Sequence, residues 1–349
     1  MILTRRNALR HATLAGGALA AGAAGLAPWR PALAAKPKLD IDILGFSLAI
    51  HVPAITSLHQ GFPAAGYPEP SLTRITSMRV VTQTIAAGSS NLGESDAISA
   101  LRAAESGADI KLVGLPYANT SQVYVANAAK IKSLEDFGKG AVVAVNSKGD
   151  FTHLLLLGPL AKHDIDASKL TVIEIGGSGG RVAALRAGRV DAVPVHLDQA
   201  QQIMAAEPGR FNIVIRPWTE FENWISEAWI VPSSFLSSPD NERALVDLLK
   251  AQIASFRKAN ADLAYFAEGY RNYATISNAK EASDESLREI WQSLSKEARA
   301  WPNDGGFKRK DFETMMPVWK RTGAIKGTVD LDKVLATKYV DQALQELGA

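Results

Sequence analysis

The chain has 349 residues, of which 47% are apolar, and it contains 38 basic and 36 acidic side chains but no cysteine. A chain of this length suggests two domains of ordinary size. The near balance of charge argues against a surface for nucleic acid or anionic membranes. Without cysteine the protein forms no disulfide and carries no lipid-modified cysteine, so its fold must rest on its own core.

Residues 1–34 have the composition of a secretory signal peptide. They contain four arginines and no acidic residue, then a stretch of Ala, Gly, Leu and one Thr, and end in Ala-Leu-Ala. This order predicts cleavage near Ala34, and the apolar stretch is too short and glycine-rich to span a bilayer. Arg5 and Arg6 resemble the twin-arginine export motif, with Ala8 where Phe is common. The expected mature protein is periplasmic, with 34 basic and 36 acidic side chains.

Strand-like and helix-like segments alternate along most of the remaining chain, which is typical of α/β architecture with a largely parallel sheet. The predicted strands are 40–47, 72–75, 89–95, 109–114, 123–125, 141–146, 171–175, 190–196, 211–215 and 228–231. The predicted helices are 54–65, 78–87, 96–106, 151–162 and 181–187, then 241–258, 284–299, 309–320 and 331–346. Two α/β units followed by returning helices imply two lobes between which the chain crosses twice. The predicted first lobe is discontinuous, at 35–118 and 233–349, and the second covers 119–232.

Four predicted strand ends carry loops suited to ligand binding. Open parallel sheets bind ligands beyond the carboxyl ends of their strands, which selects the loops at 47–48, 89–95, 147–152 and 176–181. Several of these loops precede helices, whose first N–H groups are unpaired and attract anions. A sulfonate, carboxylate or nitrate group can be held there. The same Ser and Gly residues also serve simply as helix caps, and that alternative stays open.

The glycine-rich loop at 176–181 also fits the G-x-S-x-G pattern of a hydrolase nucleophile elbow. Such an enzyme needs its acid and its histidine after the serine, and His196 is the only histidine after Ser178. His196 follows Asp191 by five residues, which is a poor separation for two partners of a triad. We therefore interpret the loop as a glycine-rich ligand contact and predict no catalytic residue. Arg181 is either an anion partner or a solvated helix residue.

Histidine spacing predicts neither a metal site nor a cofactor site. The five histidines beyond residue 34 show no paired ligand spacing with carboxylates. His196 is of interest as a ligand contact because it stands at a predicted strand end. Phe46, Phe151 and Trp229 lie near strand ends, where aromatic side chains form the apolar walls of ligand pockets. Core packing is the alternative explanation for each of them.

Several segments together resemble the substrate-binding proteins of bacterial ABC importers for sulfonates, taurine and nitrate. The likeness extends from Asp40 to about Leu248, is loose at 61–66, and is carried by 85–93, 104–114, 131–140, 147–149 and 183–192. The resemblance implies a type II periplasmic binding fold, in which a hinge of two crossing strands joins two Rossmann-like lobes. It also implies a ligand at the lobe interface and no catalysis.

These observations predict a periplasmic solute-binding protein that delivers a small anionic organic solute to a membrane permease with a cytoplasmic ATPase. The expected solute is sulfonate-, taurine- or nitrate-like, and the protein is expected to be a monomer that binds no nucleic acid. A ligand-binding sensor for a membrane receptor and an enzyme of related fold, such as one of pyrimidine-precursor synthesis, remain as alternatives. The candidate ligand-binding residues are Phe46, Ser47, Ser89, Ser90, Glu94, Ser95, Ser147, Phe151, Thr152, Gly177, Ser178, His196 and Trp229.

Overall fold

The computed structural model describes residues 35–43, 48–75, 77–275 and 278–348. Residues Lys36–Ala349 form one compact unit. The predicted signal peptide lies outside the described residues. Within the described ranges, no helix is both long enough and apolar enough to cross a membrane.

The strands of the described residues form two five-stranded sheets. In chain order they are β1 (Asp40–Ile43), β2 (Ser71–Arg74), β3 (Leu92–Asp96), β4 (Ile110–Gly114), β5 (Gln122–Asn127), β6 (Val142–Val145), β7 (Thr171–Glu174), β8 (Ala192–His196), β9 (Phe211–Ile215) and β10 (Glu227–Pro232). The first sheet has the order β2-β1-β3-β10-β4 and the second the order β7-β6-β8-β5-β9. We call each sheet with its surrounding helices a lobe. Two mixed α/β sheets confirm the predicted fold class.

Helices cover both sheets and form the C-terminal part of the chain. The α-helices are α1 (Val52–Thr56), α2 (Phe62–Ala64), α3 (Met78–Ala86), α4 (Ala97–Glu105), α5 (Phe151–Lys162), α6 (Ser178–Arg186), α7 (Leu197–Ala206), α8 (Pro217–Glu220), α9 (Pro239–Ala261), α10 (Leu263–Tyr273), α11 (Asp284–Gln292), α12 (Arg309–Arg321), α13 (Leu331–Val334) and α14 (Lys338–Glu346). Single 3₁₀ segments lie at Ala49–His51, Leu134–Lys139 and Ser233–Ser237, and π-helical turns at Ser57–Gly61 and Ser293–Glu297.

The parallel core of each sheet is built from short apolar strands. Val142–Val145 reads Val-Val-Ala-Val, and β6 pairs in parallel with both β7 and β8. A continuous apolar run of this kind is typical of a strand with both faces covered. Acidic residues start the helices that follow: Asp96 accepts a hydrogen bond from the Ser99 N–H at 2.7 Å, and Asp150 from the His153 N–H at 3.1 Å. Strand ends and helix starts therefore alternate at one edge of each sheet.

Each sheet contains one antiparallel strand next to a point where the chain changes lobe. β5 is antiparallel to β8 and β9, and β10 is antiparallel to β3 and β4. The chain thus passes to the second sheet between β4 and β5 and returns between β9 and β10. β10 lies in the first sheet, although the predicted limit of the second lobe at residue 232 includes it. We therefore propose that the second crossover lies at 216–226, and the other lobe limits stay a prediction.

Asn119 joins the two crossover segments to each other. Its side-chain oxygen accepts a hydrogen bond from the Trp224 N–H at 2.7 Å, and its backbone carbonyl accepts one from the Ser226 hydroxyl at 2.8 Å. Its φ of 55° is in the left-handed region, which asparagine tolerates better than most residues. Asn119 therefore ties the two crossover segments to each other by two hydrogen bonds.

The C-terminal helices differ in detail from the predicted ones. α10 was not predicted, although Asp262 caps it by accepting a hydrogen bond from the Ala264 N–H at 2.8 Å. The helix predicted at 331–346 is divided into α13 and α14, because Leu335 leaves the helix to form a bridge with Leu112. Trp301 lies between α11 and α12 and donates its indole N–H to the Ile50 carbonyl at 2.8 Å. The C-terminal segment therefore supports the turn that follows β1.

Candidate functional site

A cavity of about 490 Å³ lies where the two sheets face each other. Residues from both lobes and from the starts of β5 and β10 contribute to its wall. The lining residues are Leu48, His51, Arg74, Ile75, Met78, Glu94, Gln122, Asn146, Phe151, Thr152, Gly176, Gly177, Ser178, Arg181, His196 and Glu227. This volume and this position at the carboxyl ends of parallel strands are those of a small-molecule site in an open α/β sheet.

Three buried ionisable groups of the first lobe meet on one wall of the cavity. His51 ends the 3₁₀ turn after β1, Glu94 lies within β3, and Glu227 begins β10. The His51 Nε2 atom lies 3.0 Å from Glu94 Oε1 and 3.4 Å from Glu227 Oε2. All three are at most 4% exposed. We call these three residues the His-Glu-Glu cluster.

The protonation of the cluster follows from its burial and its charges. Burial alone lowers the pKa of His51, but the Glu94 and Glu227 carboxylates outweigh this effect and raise the pKa to about 10. Burial and the neighbouring Glu94 charge raise the pKa of Glu227. Burial also raises the pKa of Tyr117, whose phenol hydrogen-bonds to Glu227. Without another cation, protons held by His51 and Glu227 therefore balance the negative charge of the two carboxyl groups.

His196 and Gln122 form the neighbouring wall. The His196 Nδ1 atom lies 2.7 Å from the Ser121 hydroxyl, and its Nε2 atom lies 3.2 Å from the Gln122 amide nitrogen. Both ring nitrogens are therefore engaged by neighbouring polar groups, one as donor and the other as acceptor of the neutral imidazole. Burial lowers the pKa of His196 well below its usual range, which keeps the ring neutral. The Gln122 carbonyl oxygen is buried and accepts no hydrogen bond from the described residues, so it can accept one from a ligand.

The start of α6 supplies hydrogen-bond donors from the second lobe. Gly177 precedes the helix, no side chain caps it, and the Ser178 hydroxyl accepts a hydrogen bond from the Gln199 amide at 3.0 Å. Arg181 is 3% exposed, donates its Nε–H to the Pro194 carbonyl at 3.0 Å, and also donates to the Gly176 carbonyl. Arg181 is therefore a buried cation that holds this turn and lines the cavity. The N–H groups of the first helical turn and this cation favour an anionic group.

Phe151, Thr152 and Asn146 complete the wall of the second lobe. The Thr152 hydroxyl donates to Asp150 at 2.6 Å and accepts from the Asn146 N–H at 2.9 Å. This hydroxyl therefore orders the loop before α5, and little of its hydrogen-bonding capacity remains for a ligand. Phe151 is buried and provides an apolar surface together with Leu48.

The structure brings about half of the sequence-predicted residues together. Glu94, Phe151, Thr152, Gly177, Ser178 and His196 line the cavity. Phe46 and Ser47 lie outside the described residues. The other five do not line the cavity: Ser89, Ser90, Ser95, Ser147 and Trp229.

Each of these five has a physical reason to lie elsewhere. Ser89 and Ser90 precede β3, because the strand begins at Leu92, and so stand at its amino end. Ser95 points to the face opposite Glu94, where its hydroxyl lies 2.5 Å from the Thr82 hydroxyl. Ser147 is exposed, and the buried Trp229 donates its indole N–H to Gln252 at 2.8 Å. We leave these five residues out of the candidate site.

His51, Gln122 and Glu227 were missed by reasoning on the sequence. A usable signal was present, because a Glu directly before Ala-Trp-Ile-Val and a His within Ala-Ile-His-Val interrupt apolar runs. Buried polar groups of this kind need partners, and the partners here come from distant parts of the chain. Linear spacing between histidines and carboxylates therefore did not reveal the cluster.

Comparisons with known proteins agree with this architecture. No curated protein matches the chain in sequence. Among solved structures, the periplasmic nitrate-binding protein NrtA from Synechocystis PCC 6803 has a TM-score of 0.70 at 13% identity, over 90% of this chain and 90% of that one. The alkanesulfonate-binding protein SsuA from Xanthomonas axonopodis pv. citri, bound to MOPS, has a TM-score of 0.64 at 18% identity, over 87% of this chain and 100% of that one. The aliphatic sulphonate binding protein SsuA from Escherichia coli has a TM-score of 0.62 at 15% identity, over 86% and 92%.

These structural likenesses confirm the type II periplasmic binding fold and the predicted resemblance. A family profile described as NMT1/THI5 like matches residues 75–256, just over half of the chain. The chain therefore belongs to the NMT1/THI5-like family.

Proposed function

We propose that this protein is the periplasmic solute-binding component of an ABC importer and captures a small anionic organic solute between its lobes. The observation that carries the proposal is the cavity of about 490 Å³, whose walls come from both lobes. A solute held by both lobes stabilises their closed arrangement, and the closed form is what a membrane permease with its cytoplasmic ATPase can recognise. The solute-binding proteins SsuA and NrtA share this fold and support the assignment.

The chemistry of the walls favours an anion with an organic body. Arg181 and the first turn of α6 supply a cation and free N–H groups, and Arg74 stands at the cavity edge at the end of β2. The apolar part of the wall includes Ile75, Met78 and Phe151. We propose that a sulfonate, carboxylate or nitrate-like head lies near Gly177, with the apolar part of the solute against Phe151. This orientation uses helix-end N–H groups where they attract negative charge.

Two other functions are less well supported. In a serine hydrolase, a histidine must accept the proton of the nucleophile, but the Ser178 hydroxyl receives a hydrogen bond from the Gln199 amide, which is no base. His196 is engaged with Ser121 and Gln122 instead. A sensor that docks on a membrane receptor needs the same cavity and stays the second candidate.

We also propose that the protein is a monomer and that it binds no nucleic acid.

A solute screen tests the proposal directly. We expect one class among sulfonates, carboxylates, nitrate and nitrogen heterocycles to raise the melting temperature, since a ligand at about 100 times its Kd stabilises by about 2.7 kcal/mol. Small-angle scattering with that solute at saturation should show a smaller radius of gyration, through bending at residues 115–121 and 216–226. The assignment would be contradicted if no solute class raised the melting temperature, or if the protein steadily converted the bound compound into a product. Proven binding with an unchanged radius would contradict only the closure.

Export by the twin-arginine route is a separate prediction. We expect the double variant Arg5→Lys with Arg6→Lys to accumulate as folded precursor in the cytoplasm, because that route recognises paired arginines ahead of a weakly apolar segment. Cell fractionation with an antibody against the mature protein measures the distribution. A variant with Arg10→Lys alone is the control. Normal periplasmic accumulation of the double variant would indicate the general secretory route.

A further inference from the structure

We propose that the His-Glu-Glu cluster is a binding site for a divalent transition-metal ion, and that zinc fits its donor set. His51, Glu94 and Glu227 each offer one ligand atom, and the three atoms lie within 4.8 Å of one another. Imidazole nitrogen and carboxylate oxygen are common ligands of zinc, and three protein ligands with one open position are the usual arrangement of a zinc site that faces a cavity. This inference does not depend on the identity of the solute.

The spacing of the ligand atoms is close to that of a tetrahedral shell. Bonds of 2.0–2.2 Å from zinc to nitrogen or oxygen put neighbouring ligand atoms about 3.3–3.6 Å apart. The His51 Nε2 atom lies 3.0 Å from the Glu94 oxygen and 3.4 Å from the Glu227 oxygen. The two carboxylate oxygens lie within 4.8 Å of each other, so side-chain shifts of about 1 Å or less place all three atoms around one ion.

The three residues are held by one rigid part of the protein. β1, β3 and β10 are neighbours in the first sheet, and Glu94 is paired with Trp229, two residues beyond Glu227. Tyr117 hydrogen-bonds to Glu227, and its ring meets the His51 imidazole edge-on at 5.0 Å between centroids. Partners of this kind orient metal ligands and are part of most metal sites. Because all ligands belong to one lobe, the site does not require closure of the cleft.

Charge and an unused acceptor also favour a dication here. Two carboxylates, 0% and 3% exposed, stand beside a single imidazole. Burying two negative charges is costly unless positive charge accompanies them, and one divalent ion balances both. The Gln122 carbonyl oxygen, which is buried and accepts no hydrogen bond within the described part of the chain, lines the same cavity. It can therefore accept a hydrogen bond from a water molecule or ligand inside the cavity.

The test uses the mature protein after treatment with a chelator. We expect one zinc ion per chain, with a Kd of about 1 μM or tighter, in competition with a chromophoric chelator. Cobalt in place of zinc should give the intense visible absorption of a tetrahedral site. Glu94→Gln and Glu227→Gln preserve side-chain shape and should each weaken zinc binding at least about tenfold, as should His51→Ala. His59→Ala, which removes a more exposed histidine paired with Glu69, is the control and should bind zinc like the unchanged protein.

Two outcomes would overturn the metal site. One is the absence of stoichiometric zinc binding by a protein whose melting curve shows it to be folded. The other is zinc binding that survives both glutamine substitutions undiminished, whatever the result for His59→Ala. Solute binding measured in excess chelator separates this inference from the proposed function. Solute binding without zinc binding leaves the proposed function standing and refutes only the metal site.

Discussion

Replacing Gly177 by valine is expected to weaken solute binding by about a hundredfold or more, which corresponds to about 2.7 kcal/mol. Gly177 lines the cavity directly before α6, where the head group of the solute is proposed to bind. A Cβ atom at this position meets no other atom within 4 Å, so the added side chain extends into open space rather than into the protein. The backbone, at φ −60° and ψ 152°, is one that valine readily adopts.

The substitution should therefore block the site without disturbing the fold. Gly179→Val is the matched control, because it keeps the backbone N–H, its Cβ also meets nothing within 4 Å, and Gly179 does not line the cavity. Ser178→Ala should have a smaller effect, about tenfold, since the backbone N–H groups remain. Calorimetry gives the affinities, and melting temperatures report on folding. If Gly177→Val binds the solute as tightly as Gly179→Val, the turn before α6 is only a helix start and the head group lies elsewhere.

Replacing Trp301 by alanine is expected to lower the free energy of unfolding by about 3–5 kcal/mol. Trp301 is 1% exposed and packs on Phe266 with 5.3 Å between ring centroids. Its indole N–H donates to the Ile50 carbonyl at 2.8 Å, next to His51. The preceding residue, Ala300, accepts a hydrogen bond from the Ala118 N–H in the first crossover at 2.8 Å. Loss of this side chain should therefore weaken the core and loosen the wall of the cavity together.

Trp291→Ala separates these two effects. Trp291 also donates its indole N–H to a backbone carbonyl at 2.6 Å, but it is only partly buried, and its partner is Ala259 in α9 rather than the turn at 49–51. We expect a loss of about 1–2 kcal/mol for Trp291→Ala, with unchanged affinity at the cavity. Urea unfolding measures the stabilities. Equal losses for the two variants would show that Trp301 has no special role in joining the C-terminal segment to the site.

Local pattern in the sequence was sufficient for the fold class and for part of the site. Alternating apolar strands and amphipathic helices predict α/β lobes, because each element buries one face or stripe whatever its neighbours are. Thr152, Ser178 and His196 were also predicted from local pattern, because each lies where a strand ends and a helix starts. A strand end followed by a helix start is visible within a few residues, and parallel strands bring such ends to one edge of the sheet.

The tertiary structure alone decided which side chains face the cavity. Glu94 and Ser95 are neighbours in β3, but adjacent strand residues point to opposite faces, and only the pairing with β10 determines which face is which. The His-Glu-Glu cluster joins residues that are far apart in sequence, so no local spacing could reveal it. Likewise, β10 belongs to the first sheet because it pairs with β3 and β4, which the sequence alone does not reveal. Local composition determines which elements form, whereas strand order and register, which depend on distant contacts, determine the chemistry of the cleft.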